Sequence, residues 1–197
     1  MLKDKLKDFN IILASASPRR HAFLKAMHLD FDIQLKPVDE IYPEHLKREE
    51  ITDFLAKLKA EPFTESLRSK DILITSDTIV WLGGNAIGKP KDEDDAFHMI
   101  KSLSNKVHEV VTSVCFTLKS EQRIVNTVTE VTFKALTDDE IRYYIHNFKP
   151  MDKAGAYGIQ EWIGAIAITS IKGSYNNVVG LPTHLLYETL NTIADDF

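Results

Sequence analysis

The sequence contains one cysteine, Cys115, which excludes an internal disulfide and the cysteine clusters of structural zinc sites. It has no apolar run near the about 18 residues that a membrane-spanning helix needs. Its opening residues, Met1-Leu2-Lys3-Asp4-Lys5-Leu6, carry charges where a secretory signal carries an apolar stretch. The expected location is therefore a reducing one, the cytoplasm, away from any membrane. A basic excess is also missing. With 29 Asp and Glu against 24 Lys and Arg, the net charge is −5, which argues against a protein that coats polymeric nucleic acid. A single nucleotide is still an allowed ligand, because a local basic pocket, or a metal bridging carboxylates, can hold phosphates on an acidic protein. Repeats and low-complexity segments are absent.

What is present suits a soluble globular protein. The 197 residues, 44% hydrophobic and 27% charged, are enough for one domain over residues 1–197 with a sizeable core, and for two lobes within it. Ile11–Arg20 is the stretch of greatest chemical interest. Four apolar residues run into Ser15, Ser17, Pro18, Arg19 and Arg20, which reads as a strand ending at a helix N-terminus. Ser17 suits the N-cap and Pro18 the first helical position, with the helix proper running from Arg19. Free N–H groups, the positive end of the helix dipole and two guanidiniums make an anion site. An ordinary strand-to-helix turn with solvated arginines is the alternative.

Further along, Phe23, Leu24 and Met27 mark a short helix over His21–His28, whose two histidines are expected in solvent. Phe31–Leu35 alternates as a half-buried strand does, and Pro37 ends it just before Asp39 and Glu40. Glu49–Phe63 is amphipathic, with Ile51, Phe54, Leu55 and Leu58 on the apolar stripe and Thr52, Lys57 and Lys59 off it. Asp71–Trp81 is nearly continuous in its apolar residues, as a central strand buried on both faces would be. Asp77 interrupts it. A buried carboxylate costs several kcal/mol unless it is paired or bound to a metal, so Asp77 requires a partner or a strand edge that reaches water.

Leu82-Gly83-Gly84-Asn85 is a turn, and Ala86–Pro90 returns from it, which would carry Lys89 back toward Asp77. The acidic run Asp92–Asp95 reads as the first turn of a helix to Ser104 rather than as a metal site. Val107–Leu118 and Ile124–Ala135 form a hairpin, with Cys115 in the core and His108 at an exposed strand end. Thr137 and Glu140 make a capping box for a helix bearing Ile141, Tyr144, Ile145 and Phe148. The small-residue loop Asp152–Gln160 has Gly155 and Gly158 where backbone could approach a ligand. A buried strand is expected over Ile163–Ile171, a loop over Lys172–Asn177, and a last helix over Thr183–Ala194.

Five separated stretches resemble, in order, those of the Maf family of nucleoside triphosphate pyrophosphatases. They are Ala14–Arg20, Ser76-Asp77-Thr78, Gly88-Lys89-Pro90, Lys153–Gln160, and Gly173-Ser174-Tyr175 leading to Val178–Pro182. The resemblance implies an α/β fold with a mixed, twisted central sheet flanked by helices. It also implies two lobes with a nucleotide cleft, similar to the inosine triphosphate pyrophosphatases. The implied activity is hydrolysis of a nucleoside triphosphate to the monophosphate and pyrophosphate, assisted by a divalent cation, Mg²⁺ or Mn²⁺.

Position by position, the resemblance makes Asp77 the catalytic base and a metal contact, and Glu40 the second metal acid. Arg20, Lys59 and Lys89 fall at phosphate positions, with Ser15 on the same loop as Arg20, while Arg19, Thr78 and Gln160 fall where the family selects its base. A homodimer is suggested as well. The Ala-Tyr-Gly-Ile-Gln version of the late loop resembles the dTTP/UTP branch, whereas the 7-methyl-GTP branch carries a Ser-Phe-Lys-x-Glu pattern. An amide side chain at Gln160 can meet both the carbonyl and the imide N–H of a pyrimidine, and a cationic methylated guanine would instead favour a carboxylate. The rival readings are that second branch and a non-catalytic nucleotide sensor acting on cell division. Asn105 and Glu161-Trp162 depart from the family pattern, in which glycine is usual.

Overall fold

The computed structural model describes residues 1–196. In chain order the elements are α1 (Leu2–Lys5), β1 (Asn10–Leu13), α2 (Pro18–Ala26), β2 (Asp32–Ile33) and α3 (Glu49–Ala60), the last continued by a 3-10 turn over Glu61–Ser66. Next come β3 (Asp71–Leu82), β4 (Asn85–Ile87), α4 (Glu93–Leu103), β5 (Val107–Thr117), β6 (Gln122–Phe133) and α5 (Asp138–Phe148). A 3-10 turn at Ala154–Ala156 precedes α6 (Trp162–Ala167), β7 (Ile168–Lys172), α7 (Tyr175–Val179) and α8 (Thr183–Asp196). The strands form one mixed seven-stranded sheet among the described residues, ordered β2-β1-β3-β5-β6-β7 with β4 paired to β3. The fold is thus the mixed α/β class expected.

Contacts group the chain into two compact units. The first holds Met1–Asp77, Thr112–Thr127 and Gly180 onward; the second holds Thr78–Val111 and Val128–Val179.

In the first unit, β1 runs parallel to both β2 and β3, with Ile12 opposite Asp32 and Leu73. Alternation along these strands splits their apolar residues between two clusters. Ile11, Leu13, Ile72 and Ile74 join Leu24, Phe116, Leu186 and Leu190 in one. Ile12 and Leu73 join Ala60, Phe63 and Leu67 in the other. Each fully buried aliphatic side chain contributes about 1.5–3 kcal/mol, so this two-faced burial is what holds β3 at the centre.

Several expectations for this unit are corrected. The Phe31–Leu35 strand shrinks to the two exposed residues of β2, with Leu35 also exposed. Helix α2 does begin as expected, with Ser17 at the N-cap and Pro18 in the first helical position, although Ser17 makes no side-chain cap bond. His21 is half-buried instead of solvated, its Nε2 lying 2.6 Å from the Ser15 carbonyl. Helix α3 ends at Ala60, and two of its residues exchange places, Phe54 being exposed and Thr52 fully buried. Thr52 Oγ1 lies 2.6 Å from Ser113 Oγ, Ser113 donates to Asp53 at 2.6 Å, and Thr75 donates to the Ala56 carbonyl at 2.6 Å. A hydroxyl rung therefore fastens α3 to β3 and β5.

In the second unit, α4 packs against α5. The acidic start of α4 is a helix cap as expected, Asp92 accepting from the Asp95 N–H at 2.8 Å, and the Thr137–Glu140 capping box is formed. Strand β4 pairs antiparallel with β3 up to Val80–Ile87. The stretch expected as a strand over Ile163–Ile171 is instead helix α6 followed by β7, which pairs with β6 and is largely exposed. The expected loop over Lys172–Asn177 contains the start of α7. Asn105 has φ of 57°, a left-handed conformation that asparagine tolerates and glycine prefers, which explains the exchange at that position.

His108 is the largest correction. It is 2% exposed, its Nε2 is 2.9 Å from the Tyr157 hydroxyl, and its ring meets those of Phe133 and Tyr157 edge-on. Burial pushes its pKa down to about 4 from 6.5. Below pH 6.5 the unfolded imidazole takes up a proton that the folded one refuses. Stability from this group is thus present above that value and lost as pH falls toward 4. Urea unfolding at pH 7 and pH 4 should show wild type losing about 3 kcal/mol more than a His108→Gln variant. Equal losses would contradict a buried neutral histidine.

Candidate active site

Helix α2 begins with two arginines and no acid in its first turn, an arrangement its own dipole disfavours. Such a helix start is made favourable by an anion. Behind it Ser15 is buried, its Oγ accepting from the Ser17 N–H at 3.2 Å and from Arg20 Nη1 at 3.4 Å. Arg20 also donates through Nη1 to the Ser76 carbonyl at 2.8 Å and through Nε to the Gly180 carbonyl at 2.9 Å. Its planar fork thus ties three distant stretches together. Burial lowers the Arg20 pKa to about 10, an effect that Asp77 and Glu40 counter and Arg19 reinforces, so it remains a cation at neutral pH. Arg19 is half-buried on the same turn.

The carboxylate that demanded a partner has one. Asp77, 6% exposed in the middle of β3, accepts from Lys59 Nζ at 2.5 Å. Lys59 stands on the last turn of α3, and its ammonium is also 3.3 Å from Glu40 Oε1, on the exposed loop after β2. Glu40 and Asp77 therefore converge on one positive charge. Among the described residues no group of three or more His, Cys, Asp or Glu could hold a metal. Two hard oxygen donors are nevertheless what a small divalent cation takes from protein when phosphates and water complete its shell. Asp77 and Glu40 fit such an ion.

The remaining expected residues lie on the second unit. Thr78 follows Asp77 on β3 and is half-buried; Lys89 is exposed two residues beyond β4; Gln160 is exposed in the loop before α6. Two of the resembling stretches are joined here, the Gly155 N–H donating to the Gly88 carbonyl at 2.9 Å. Gly155 has φ of 69°, and a Cβ there would lie 2.8 Å from Val80 Cγ2, so its small size serves packing against β3.

Reading the residues alone missed a polar group beneath Gln160. Tyr144 donates to Glu161, whose other oxygen is 3.1 Å from Lys153 Nζ, and Lys153 also pairs with Asp152 at 2.7 Å. Lys153 is 9% exposed. Its neighbours Ala154-Gly155-Ala156 were the available signal, since a lysine among small apolar residues is poorly placed for solvent.

Asp77 on β3 and Glu40 on the loop after β2 thus meet at Lys59, and the sequence that places them matches a known family. The family model described as Maf-like protein matches residues 10–193, and the chain belongs to that family. It is 59% identical over 194 residues to a Flavobacterium johnsoniae protein named dTTP/UTP pyrophosphatase, covering 98% of this chain and 100% of that one. A Christiangramia forsetii protein of the same name is 58% identical over 195 residues, covering 99% and 100%. Among solved structures, the Staphylococcus aureus Ham1 protein superposes with a TM-score of 0.53 at 16% identity, covering 93% of this chain and 99% of that one. That last likeness concerns the fold alone.

Removing Lys59 should leave Asp77 buried without its counter-charge. Lys59→Met is expected to lower the unfolding free energy by about 2–3 kcal/mol, allowing for the partial exposure of the lysine. Asp77→Asn should cost less, because Lys59 keeps the exposed Glu40. Urea titration of both variants checks the order, and a smaller loss for Lys59→Met would mean that Asp77 is solvated.

Proposed function

We propose that this protein is a nucleoside triphosphate pyrophosphatase acting on dTTP and UTP in the cytoplasm, with residues 1–197 working as one catalytic module. The observation that carries the reading is the convergence of Asp77 and Glu40 on the Lys59 ammonium in the same unit as the Arg20 fork. A protein that only bound a nucleotide would have little use for two carboxylates where a triphosphate must sit. The family match over residues 10–193 and the names of the relatives support the same activity and substrates.

In this reading Asp77 accepts a proton from a water that attacks the α-phosphorus. The bond from that phosphorus to the bridging oxygen breaks, and pyrophosphate leaves. Arg20, Lys59 and Lys89 meet the charge on the phosphates, and Ser15 holds the Arg20 head in place. Asp77 and Glu40 would hold a divalent cation, Mg²⁺ or Mn²⁺, which supplies Lewis-acid polarisation of the phosphate oxygens. Arg19, Thr78 and Gln160 select the base, with the Gln160 amide offering a donor and an acceptor to a pyrimidine edge. An unpaired polar group in such a site costs about 1–3 kcal/mol, enough to separate dTTP from a purine.

Pyrophosphate release should be measured with Mg²⁺ or Mn²⁺ across the common, methylated and halogenated nucleoside triphosphates. dTTP and UTP should turn over fastest, and a preference for 7-methyl-GTP or another purine would overturn the specificity. Asp77→Asn should lower turnover by at least about 10²-fold with the fold retained. Full activity in that variant, or nucleotide binding without pyrophosphate release in wild type, would overturn the reaction.

A further inference from the structure

Gln160 occupies the third position of a tight turn, Gly158-Ile159-Gln160-Glu161, closed by the Glu161 N–H donating to the Gly158 carbonyl at 3.0 Å. The turn is held from below at both ends by one atom. The Tyr144 hydroxyl accepts from the Gly158 N–H at 2.9 Å and donates to the Glu161 carboxylate. Tyr144 itself is fully buried on α5, stacked on Phe148.

The surroundings leave the turn little freedom. A Cβ at Gly158 would come 2.8 Å from the Glu161 carboxylate, and one at Gly164 would come 1.9 Å from the Ile159 carbonyl. Lys153 Nζ, 3.1 Å away, balances the Glu161 charge. Burial, with the bond to Glu161 next in importance, pushes the Tyr144 phenol well above its ordinary range, so the hydroxyl stays a donor. Within the turn Ile159 is buried, Gly158 and Glu161 are half-buried, and Gln160 alone is exposed.

We propose that Tyr144 and Glu161 form a clamp that fixes the turn carrying Gln160, making them positioning residues for base selection. The inference rests on the reading of Gln160 as a base contact. Glu161 then has a defined task at a position where the family pattern usually has glycine: its carboxylate is one half of the clamp, and Lys153 is the cation that balances this half-buried acid.

Tyr144→Phe and Glu161→Gln in the full chain test this, with Gln160→Ala as the reference. Two quantities are read: hydrogen exchange of the Gly158 amide by NMR, without nucleotide, and the ratio of kcat/KM for dTTP to that for dGTP. Both clamp variants should exchange Gly158 about tenfold faster and lower the ratio about tenfold, the effect of one lost hydrogen bond. If Tyr144→Phe does not fold, Glu161→Gln carries both measurements. Unchanged exchange, or an unchanged ratio beside a lowered ratio in Gln160→Ala, would overturn the clamp alone. An unchanged ratio in Gln160→Ala would overturn the role of Gln160 and with it the basis of the clamp.

Discussion

A carboxylate placed inside the central strand of a sheet sets the terms for much of this molecule. Asp77 lies among the apolar residues of β3, and its burial is tolerable because Lys59 reaches it from the end of α3. A lysine at the last turn of a helix reaches a fixed point only if the helix is fixed. The hydroxyl rung of Thr52, Ser113 and Thr75 does this, pinning α3 to the strands by two hydrogen bonds at 2.6 Å and so setting the position of Lys59. The rung itself costs nothing in unpaired polarity, since Asp53 accepts from Ser113 and from Asn126. One buried charge thus accounts for a polar line through what would otherwise be a plain aliphatic interface.

Much of this could be read from the residues, and the misreadings have physical causes. The apolar density of Asp71–Trp81 sufficed to place β3, and the caps of α4 and α5 were legible because capping is local chemistry. Thr52 and Phe54 exchanged places because hydrophobicity ranks a threonine below a phenylalanine, whereas a threonine with a hydroxyl partner across the interface is content inside. His108 was misplaced although the pattern held the answer. Strict alternation from Val110 puts His108 inward and Val107 outward, as found. Ile163–Ile171 is a short apolar run whose Ile163 and Ala167 also fit a helical spacing, and periodicity alone does not separate the two readings.

The candidate site was legible in proportion to how local its chemistry is. The Ser-Pro-Arg-Arg start of α2 marks itself as a candidate anion site by its own sequence, and Asp77 stands out as a carboxylate inside an apolar strand. Which lysine answers Asp77 could not be read from residue type, since Lys57 and Lys59 look alike until the helix is rotated against the sheet. The glycines tell a similar story. Gly155 and Gly158 looked like openings for a ligand, yet each faces the protein's own atoms, Val80 in one case and Glu161 in the other. Small residues mark close approach without saying who approaches.

The Arg20 fork has a consequence for how the protein comes into being. Its bond to the Gly180 carbonyl closes a separation of 160 residues, and its bond to Ser76 closes one of 56. Loops of that size are closed late, after contacts between nearby residues have formed. The Ser-Pro-Arg-Arg stretch is therefore present as sequence before the contacts that order Arg20 have formed. Loss of the stretch around Gly180 would remove one of the two carbonyls that hold the Arg20 guanidinium, so the order of this arginine depends on residues far from it in sequence.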